Sequence, residues 1–271
     1  MQPDKVLDIW ERAQLFFERQ GVSVQIIFFL DYGVQVDALV RGMIDVAWNT
    51  PLAYMQTKKL LGENCRIIGM RDTDKNNTCV LITRADFSLQ TFADLTKQDV
   101  KLALGSSDSL YANILPRYFL NKEGILLAGN KQKLPTDTTR LVVFEKDLGK
   151  HGDTGLSEID VIQAVVQKKV HLGALSKSNV EAYGAHGVFD PKAIRIVWES
   201  PPFSHCNLTS RRDVGEKKIR AFQRALFKMK YSDPRDRTIM DLEGLRRWVP
   251  GSTRGYELVE KAAAVYFGQT K

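Results

Sequence analysis

What this 271-residue chain lacks narrows its function before any motif is read. No apolar run approaches the ~18 residues of a membrane-spanning helix, so direct insertion into a bilayer is not expected. The first twenty residues carry Asp4, Glu11 and Glu18, unlike a secretory leader. Cysteine is scarce: Cys65, Cys79 and Cys206 make neither a disulfide framework nor a CxxC pair, which leaves the redox compartment open. GxSxG, GxGxxG and GxxxxGKS/T are all missing, so hydrolases, dehydrogenases and nucleotide-phosphate binders lose their usual anchors. The four histidines include no HxxxH or HExxH pair; a metal would need ligands gathered from distant loops, and no metal or cofactor is expected. A Cys206–His205 nucleophile pair is not expected either, because neighbours on a strand point to opposite faces.

The composition is that of a folded chain, 44% hydrophobic and 26% charged, with enough length for one large core or two smaller ones. Lys plus Arg number 39 against 32 Asp plus Glu, for a net charge of +7, which favours anionic partners without naming one. The densest basic stretches, Lys217-Lys218 with Arg220 and Arg246-Arg247, are short and read as solvated helix faces. They are not interleaved with aromatics, so nucleic acid is not an expected partner.

Residues 4–20 set Val6, Ile9, Trp10, Ala13, Phe16 and Phe17 at helical spacing between Pro3 and Gly21, which predicts an amphipathic helix. Residues 22–30, rich in β-branched and aromatic side chains, read as a buried strand. A helix over 34–41 stops at Gly42, and 44–48 reads as a short apolar strand. Strands and helices then alternate through 66–70, 78–83, 101–104, 109–121, 141–144 and 158–167. This order predicts an α/β protein with mostly parallel sheets. Residues 38–51 (ALVRGMIDVAWNTP) also echo 164–177 (AVVQKKVHLGALSK): each reads helix, turn, short strand and polar loop, as two lobes of similar construction would.

Chemistry is concentrated at strand-to-helix corners. In Leu104-Gly105-Ser106-Ser107-Asp108-Ser109, a strand ends and a helix opens with three serines in four positions, more hydroxyls than a helix cap needs. Unpaired first-turn amides, the helix dipole and neutral hydroxyl donors together make an anion site. Trp48-Asn49-Thr50-Pro51 is a second such corner, with Pro51 at a first helical position. Tyr32 follows the strand expected over 22–30. Thr50 and Asn49 are candidate ligand donors, and Trp48 is a candidate wall or a core residue. In open α/β sheets ligands gather at the carboxyl ends of strands, so Tyr32, Thr50 and Ser107 are candidates to converge.

Taken together, the run from Tyr32 through Val36-Asp37-Ala38-Leu39 to Ile44-Asp45-Val46-Ala47-Trp48-Asn49-Thr50-Pro51 resembles the solute-binding proteins of phosphate, phosphite and phosphonate ABC transporters. Arg71-Asp72-Thr73-Asp74, Leu81–Asp86, Gly105–Ser109, Lys150-His151-Gly152-Asp153 and Pro201–His205 extend the likeness over about residues 4 to 230. The resemblance implies a type 2 periplasmic-binding-protein fold, with two α/β lobes, a mostly parallel sheet in each and a two-strand hinge. Lobe one would comprise 1–84 and 205–271, and lobe two 85–204. It further implies a small oxyanion bound between the lobes, a permease partner and an extracytoplasmic location, with the cytoplasm left open by the first twenty residues. Tyr32, Trp48, Asn49 and Thr50 would line one lobe, Ser106, Ser107, Asp108 and Ser109 the other, with His151, Asp153 and His205 on matching loops. Asp108 or Asp153 is expected to accept a hydrogen bond from a ligand that keeps a proton. Only Met1-Gln2-Pro3 precedes the first helix, where the family ordinarily places an apolar strand whose loss would leave ladder groups unpaired. No catalysis is expected. The alternatives on the same fold are a thiamine-pyrimidine-type enzyme using Lys150 and His151, and a sensor for a membrane kinase with a cysteine holding a soft ligand.

Overall fold

A computed structural model describes residues 3–89, 95, 100–125, 140–146, 148 and 155–269. In chain order the elements are α1 (Pro3–Arg19), α2 (Tyr32–Val40), β1 (Val46–Asn49), α3 (Pro51–Leu61), β2 (Cys65–Arg71), β3 (Cys79–Arg84) and β4 (Lys101–Leu104). A π turn (Leu110–Ile114) runs into α4 (Leu115–Lys122), followed by β5 (Arg140–Val143), α5 (Leu156–Val166), β6 (Leu172–Ser176), α6 (Lys177–Ala185) and β7 (Ile194–Glu199). The rest are β8 (Asn207–Arg211), α7 (Glu216–Leu226), α8 (Pro234–Leu242), β9 (Trp248–Val249) and α9 (Glu257–Gln269).

The chain divides into two compact units, Met1–Asn76 with Ser204–Tyr256, and Asn77–Phe203 with Glu257–Lys271. In the first, the sheet order is β1-β8-β2-β9. The spacing read in α1 holds: Ile9, Ala13, Phe16 and Phe17 form one buried stripe that joins Ile219, Leu226, Ile239 and Met240 of α7 and α8 in a single core. Each large apolar side chain so buried contributes roughly 1.5–3 kcal/mol. Phe17 and Phe222 stack with ring centres 4.7 Å apart.

In the second unit the order is β5-β4-β6-β3-β7. Both faces of this sheet are covered. Val80 and Ile82 pack with Val161, Ile162 and Val165 of α5, while Leu81, Leu102 and Leu104 pack with Leu120 of α4. Burial on two sides is why these strands read as unbroken apolar runs.

Strand direction corrects the mostly parallel expectation. In the first unit the ladders β1/β8, β2/β8 and β2/β9 are all antiparallel. In the second, β4 is parallel to β5 and β6, whereas β3 is antiparallel to β6 and β7. β3 and β8 enter their sheets directly after the chain has passed from the other unit, so no helical crossover fixes their direction. Residues 22–30 form no strand; among the described residues they have no ladder partner, and alternate positions are half-buried, with Val22 and Val24 on the first core. Two segments also divide differently from the sequence reading. β3 is a central strand of the second sheet, and α9 packs on α4 and the π turn, so both belong to the second unit. Beside the two crossings, Asn77 and Phe203 form an antiparallel bridge with reciprocal N–H to O bonds of 2.9 Å.

Candidate functional site

The serine corner of the second unit is built on β4. Gly105 clasps the helix that follows: its N–H donates to the Ala112 carbonyl at 3.0 Å, and its own carbonyl takes the Asn113 amide at 2.8 Å. A Cβ at Gly105 would lie 2.6 Å from that of Ala112, so only glycine permits this approach. Ser109 caps the helix by accepting the Ala112 N–H at 3.1 Å. Ser106 is buried, donates weakly to the Phe144 carbonyl at 3.4 Å and lies 2.9 Å from the Ser157 hydroxyl. Ser157 sits in the first turn of α5, so two helix starts bring hydroxyls together at the carboxyl end of β4. Ser107 points its N–H (3.0 Å) and Oγ (3.4 Å) at one oxygen of Glu145, two residues past β5.

Charges surround this corner. Arg117 Nε donates to Asn113 Oδ1 at 2.7 Å; burial pulls its guanidinium below the ordinary arginine range, with Glu145 opposing the shift. The Tyr266 phenol of α9 is pushed up by burial, then by Asp108 and Glu145. Buried Glu158 accepts from the Ser176 N–H and the Asn179 side chain. Sequence reasoning missed Glu145, Ser157, Arg117 and Tyr266. Ser157 alone carried a signal, as a hydroxyl opening a helix; Arg117 lies ten residues beyond Ser107 without a motif to mark it, and Glu145 and Tyr266 are far away in sequence.

The corner of the first unit is simpler. Thr50 caps α3 by accepting the Ala53 N–H at 3.3 Å, with Pro51 at its first position. Asn49 is fully buried. Its Oδ1 takes the Gln35 amide, which also donates to the Trp48 carbonyl, both at 2.9 Å. Among the described residues its Nδ2 has no hydrogen-bond partner. A buried amide left unpaired costs about 1–3 kcal/mol and is a candidate ligand donor. Tyr32 opens α2 and is half-buried. The Trp48 ring packs edge-on against Trp248 and carries Arg71 over its face at 5.1 Å, so much of it is committed to core contacts.

His205 takes a different place from the one expected. Its Nδ1 lies 3.1 Å from Cys206 Sγ and 3.6 Å from Asp74 Oδ1. The opposite-faces expectation fails because residues 205 and 206 precede β8 and bend around Asp74: the His205 N–H donates to the Asp74 carbonyl, and that of Cys206 to its carboxylate. Asp74, His205 and Cys206 bring three ligand-type atoms within 4.8 Å of one another, all on buried residues. Both Asp74 oxygens already receive Arg71, so a cation there would have to displace a guanidinium. The cysteines are buried, and burial pushes the Cys79 thiol up to about 12, far from the thiolate that a soft ligand requires. His151 and Asp153 lie outside the described residues. Among the described residues no helix is long and apolar enough to cross a membrane.

Comparison with known proteins places the chain in a family. The family model described as ABC transporter, phosphonate, periplasmic substrate-binding protein matches residues 2–256. A probable ABC transporter phosphite binding protein, PhnD1, from Prochlorococcus marinus strain MIT 9301 is 20% identical over 272 residues, spanning 96% of this chain and 86% of that protein. The structure of PhnD1 from Prochlorococcus marinus in complex with methylphosphonate superposes with a TM-score of 0.72 at 17% identity, over 98% of this chain and 95% of that one. A Xanthomonas citri protein bound to ATP gives 0.73 at 16%, over 96% and 93%. At these identities the likeness to the solved structures is one of fold.

Proposed function

Because the chain belongs to the family of periplasmic substrate-binding proteins of phosphonate ABC transporters, a family of binding proteins rather than enzymes, we propose that it captures a small phosphorus oxyanion for a permease outside the cytoplasm. The observation that carries the choice of ligand is the meeting of Ser106 and Ser157, 2.9 Å apart, beside Ser107. Neutral hydroxyls at helix starts stabilise an oxyanion without locking in a counter-charge, which suits reversible capture and release. Tyr32, Asn49, Thr50 and Ser109 complete the proposed donor set. Trp48, Asp108, His151, Asp153 and His205 stay in the proposal as residues whose substitution would test it.

The experiment is a titration of the purified chain with methylphosphonate, phosphite, phosphate and sulfate, read by calorimetry and thermal shift. A true ligand at a hundredfold excess over its Kd stabilises the fold by about 2.7 kcal/mol. Ser107→Ala should lower affinity while leaving the unliganded unfolding curve in place; Ser157→Ala and Thr50→Ala should lower affinity and also cost the fold about 0.5–2 kcal/mol, because each removes a hydrogen bond the unliganded protein makes. Absence of a shift with every phosphorus oxyanion, in protein that unfolds cooperatively, would remove the proposal.

A further inference from the structure

We infer that Glu145 is the group by which the serine corner separates a phosphonate or phosphite that still carries a proton from a sulfonate, which carries none. The inference rests on the oxyanion reading above and assigns a selectivity to the same corner.

Strands β4 and β5 are parallel neighbours with Leu104 opposite Val143. The Phe144 N–H then bonds the Leu104 carbonyl at 3.0 Å, so the two following loops leave the sheet side by side. Glu145 is thereby delivered to Ser107 by the ladder. The amide contact, 3.0 Å, is a proper hydrogen bond that fixes the carboxylate; the hydroxyl contact, 3.4 Å, is a loose one that can turn to a ligand. The side chain is exposed, and among the described residues its carboxylate takes no hydrogen bond beyond these two. An ionised carboxylate offers about four acceptor positions, so acceptor capacity remains next to the hydroxyls that would hold an oxyanion.

An acceptor placed there has a definite preference. A phosphonate monoanion has a P–OH that donates to the carboxylate, giving a short charge-assisted bond. A sulfonate of the same shape and charge has no such hydrogen and meets the carboxylate as an unpaired like charge. A phosphonate dianion is rejected for the same reason. Among the described residues, the charged or titratable groups coupled electrostatically to Glu145 are Arg117 on α4 and Tyr266 on α9, and Tyr266 also feels Asp108 on the Ser107 loop. Arg117 attracts both ligand classes, and none of the three distinguishes a P–OH from an S–O.

The test is calorimetry on the full chain and on Glu145→Gln, using methylphosphonate and methanesulfonate from pH 5.5 to 8.5. For the unsubstituted chain, methylphosphonate should bind on the order of a hundredfold more tightly than methanesulfonate at the acid end. Its affinity should fall about tenfold per pH unit once the ligand loses its second proton, at a pH above the value of about 6 for phosphate esters because a carbon substituent withdraws less charge than an ester oxygen. The side-chain amide introduced by E145Q both donates and accepts, so in that variant the ratio should shrink to within about tenfold and the pH slope should flatten. Because Asp108, Arg117 and Tyr266 are unchanged in E145Q, flattening isolates Glu145. Equal binding of the two ligands by the unsubstituted chain, or an unchanged ratio and slope in E145Q, would overturn the inference and leave the oxyanion reading standing. Failure of both proteins to bind either anion at any pH would overturn the two together.

Discussion

Asp74 receives both forked nitrogens of Arg71, Nη2 on Oδ1 at 2.8 Å and Nε on Oδ2 at 2.9 Å, and the ion pair is buried. Arg71 also donates through Nη1 to the Glu243 carbonyl at 2.8 Å, and Asp74 organises the residues leading into β8. Removing one partner of a buried, hydrogen-bonded pair strands the other charge and costs about 3–5 kcal/mol. Asp74→Asn, nearly the same in shape, should therefore lower the urea-unfolding free energy by that order. A loss under 1 kcal/mol would mean that the guanidinium finds water or another acceptor.

The same carboxylate sets an acid limit. Burial pushes the Asp74 pKa up, but the His205 and Arg71 side chains outweigh it and hold the group below the usual aspartate range. A pKa depressed on folding contributes stability that is fully present above the unfolded value, about 3.9, and is lost as pH falls through the folded value. Unfolding free energy should thus be insensitive to this residue from pH 5 to 7 and decline below about pH 4. In D74N the decline should be shallower. Equal slopes in the two proteins would take Asp74 out of the acid transition.

Asn49 separates a ligand role from a structural one. Its Nδ2 is buried with no hydrogen-bond partner among the described residues while Oδ1 holds Gln35, so the side chain costs the unliganded fold part of what it would return on binding. Asn49→Asp keeps the acceptor and replaces the unpaired donor with a carboxylate. Phosphonate affinity should fall by about 1–3 kcal/mol, roughly 5- to 150-fold, because a hydrogen-bond donor becomes a repelling oxygen. Calorimetry at pH 7 measures it, and unchanged affinity would show that Asn49 never meets the ligand.

Much of the fold was legible because its pattern is local. The α1 stripe of Ile9, Ala13, Phe16 and Phe17 and the strand at 101–104 each follow from spacing or residue type, whereas Thr50 and Ser109, read from the sequence as ligand donors, cap the helices they precede. What escaped reading is set by long-range pairing. Residues 22–30 have strand-forming side chains, yet a strand exists only when a neighbour supplies a ladder. The directions of β3 and β8 depend on how the chain enters each sheet. At the serine corner, Ser106, Ser107 and Ser109 announce themselves as a cluster; Glu145 does not, since its position comes from the register of β5 on β4. His205 and Cys206 were misjudged because strand alternation was extended two residues too far.

Gly105 tests whether the corner's geometry matters for binding. An added methyl would sit 2.6 Å from the Ala112 Cβ, and only a backbone shift in the loop or the π turn could relieve it. Gly105→Ala should cost about 1–3 kcal/mol of stability, as overpacking does, and should weaken phosphonate binding because Ser106 and Ser107 move with the loop. Chemical denaturation and calorimetry on one preparation report both. Destabilisation with full affinity would place the ligand elsewhere.

The internal echo gives the last prediction, since Gly42 and Lys168 hold the same place in it, 126 residues apart, and both have left-handed backbones, φ 78° and 62°. Each ends a helix and turns the chain toward a strand, β1 or β6, whose following residue or last residue, Thr50 or Ser176, caps the next helix. The two turns nevertheless tolerate different side chains. A Cβ at Gly42 would lie 3.0 Å from the Arg211 guanidinium, which is held there by the Leu39 and Ile44 carbonyls at 2.8 and 3.3 Å. Gly42→Ala therefore adds a contact to the roughly 1–2 kcal/mol that a non-glycine residue pays in this conformation. Lys168 already bears that strain, and Lys168→Gly trades it for the about 0.5–1 kcal/mol of entropy that glycine loses on folding. Unfolding curves should show G42A clearly destabilised and K168G unchanged or more stable by up to ~1 kcal/mol. The opposite order would mean that the Lys168 side chain, not the turn geometry, holds the second unit's turn together.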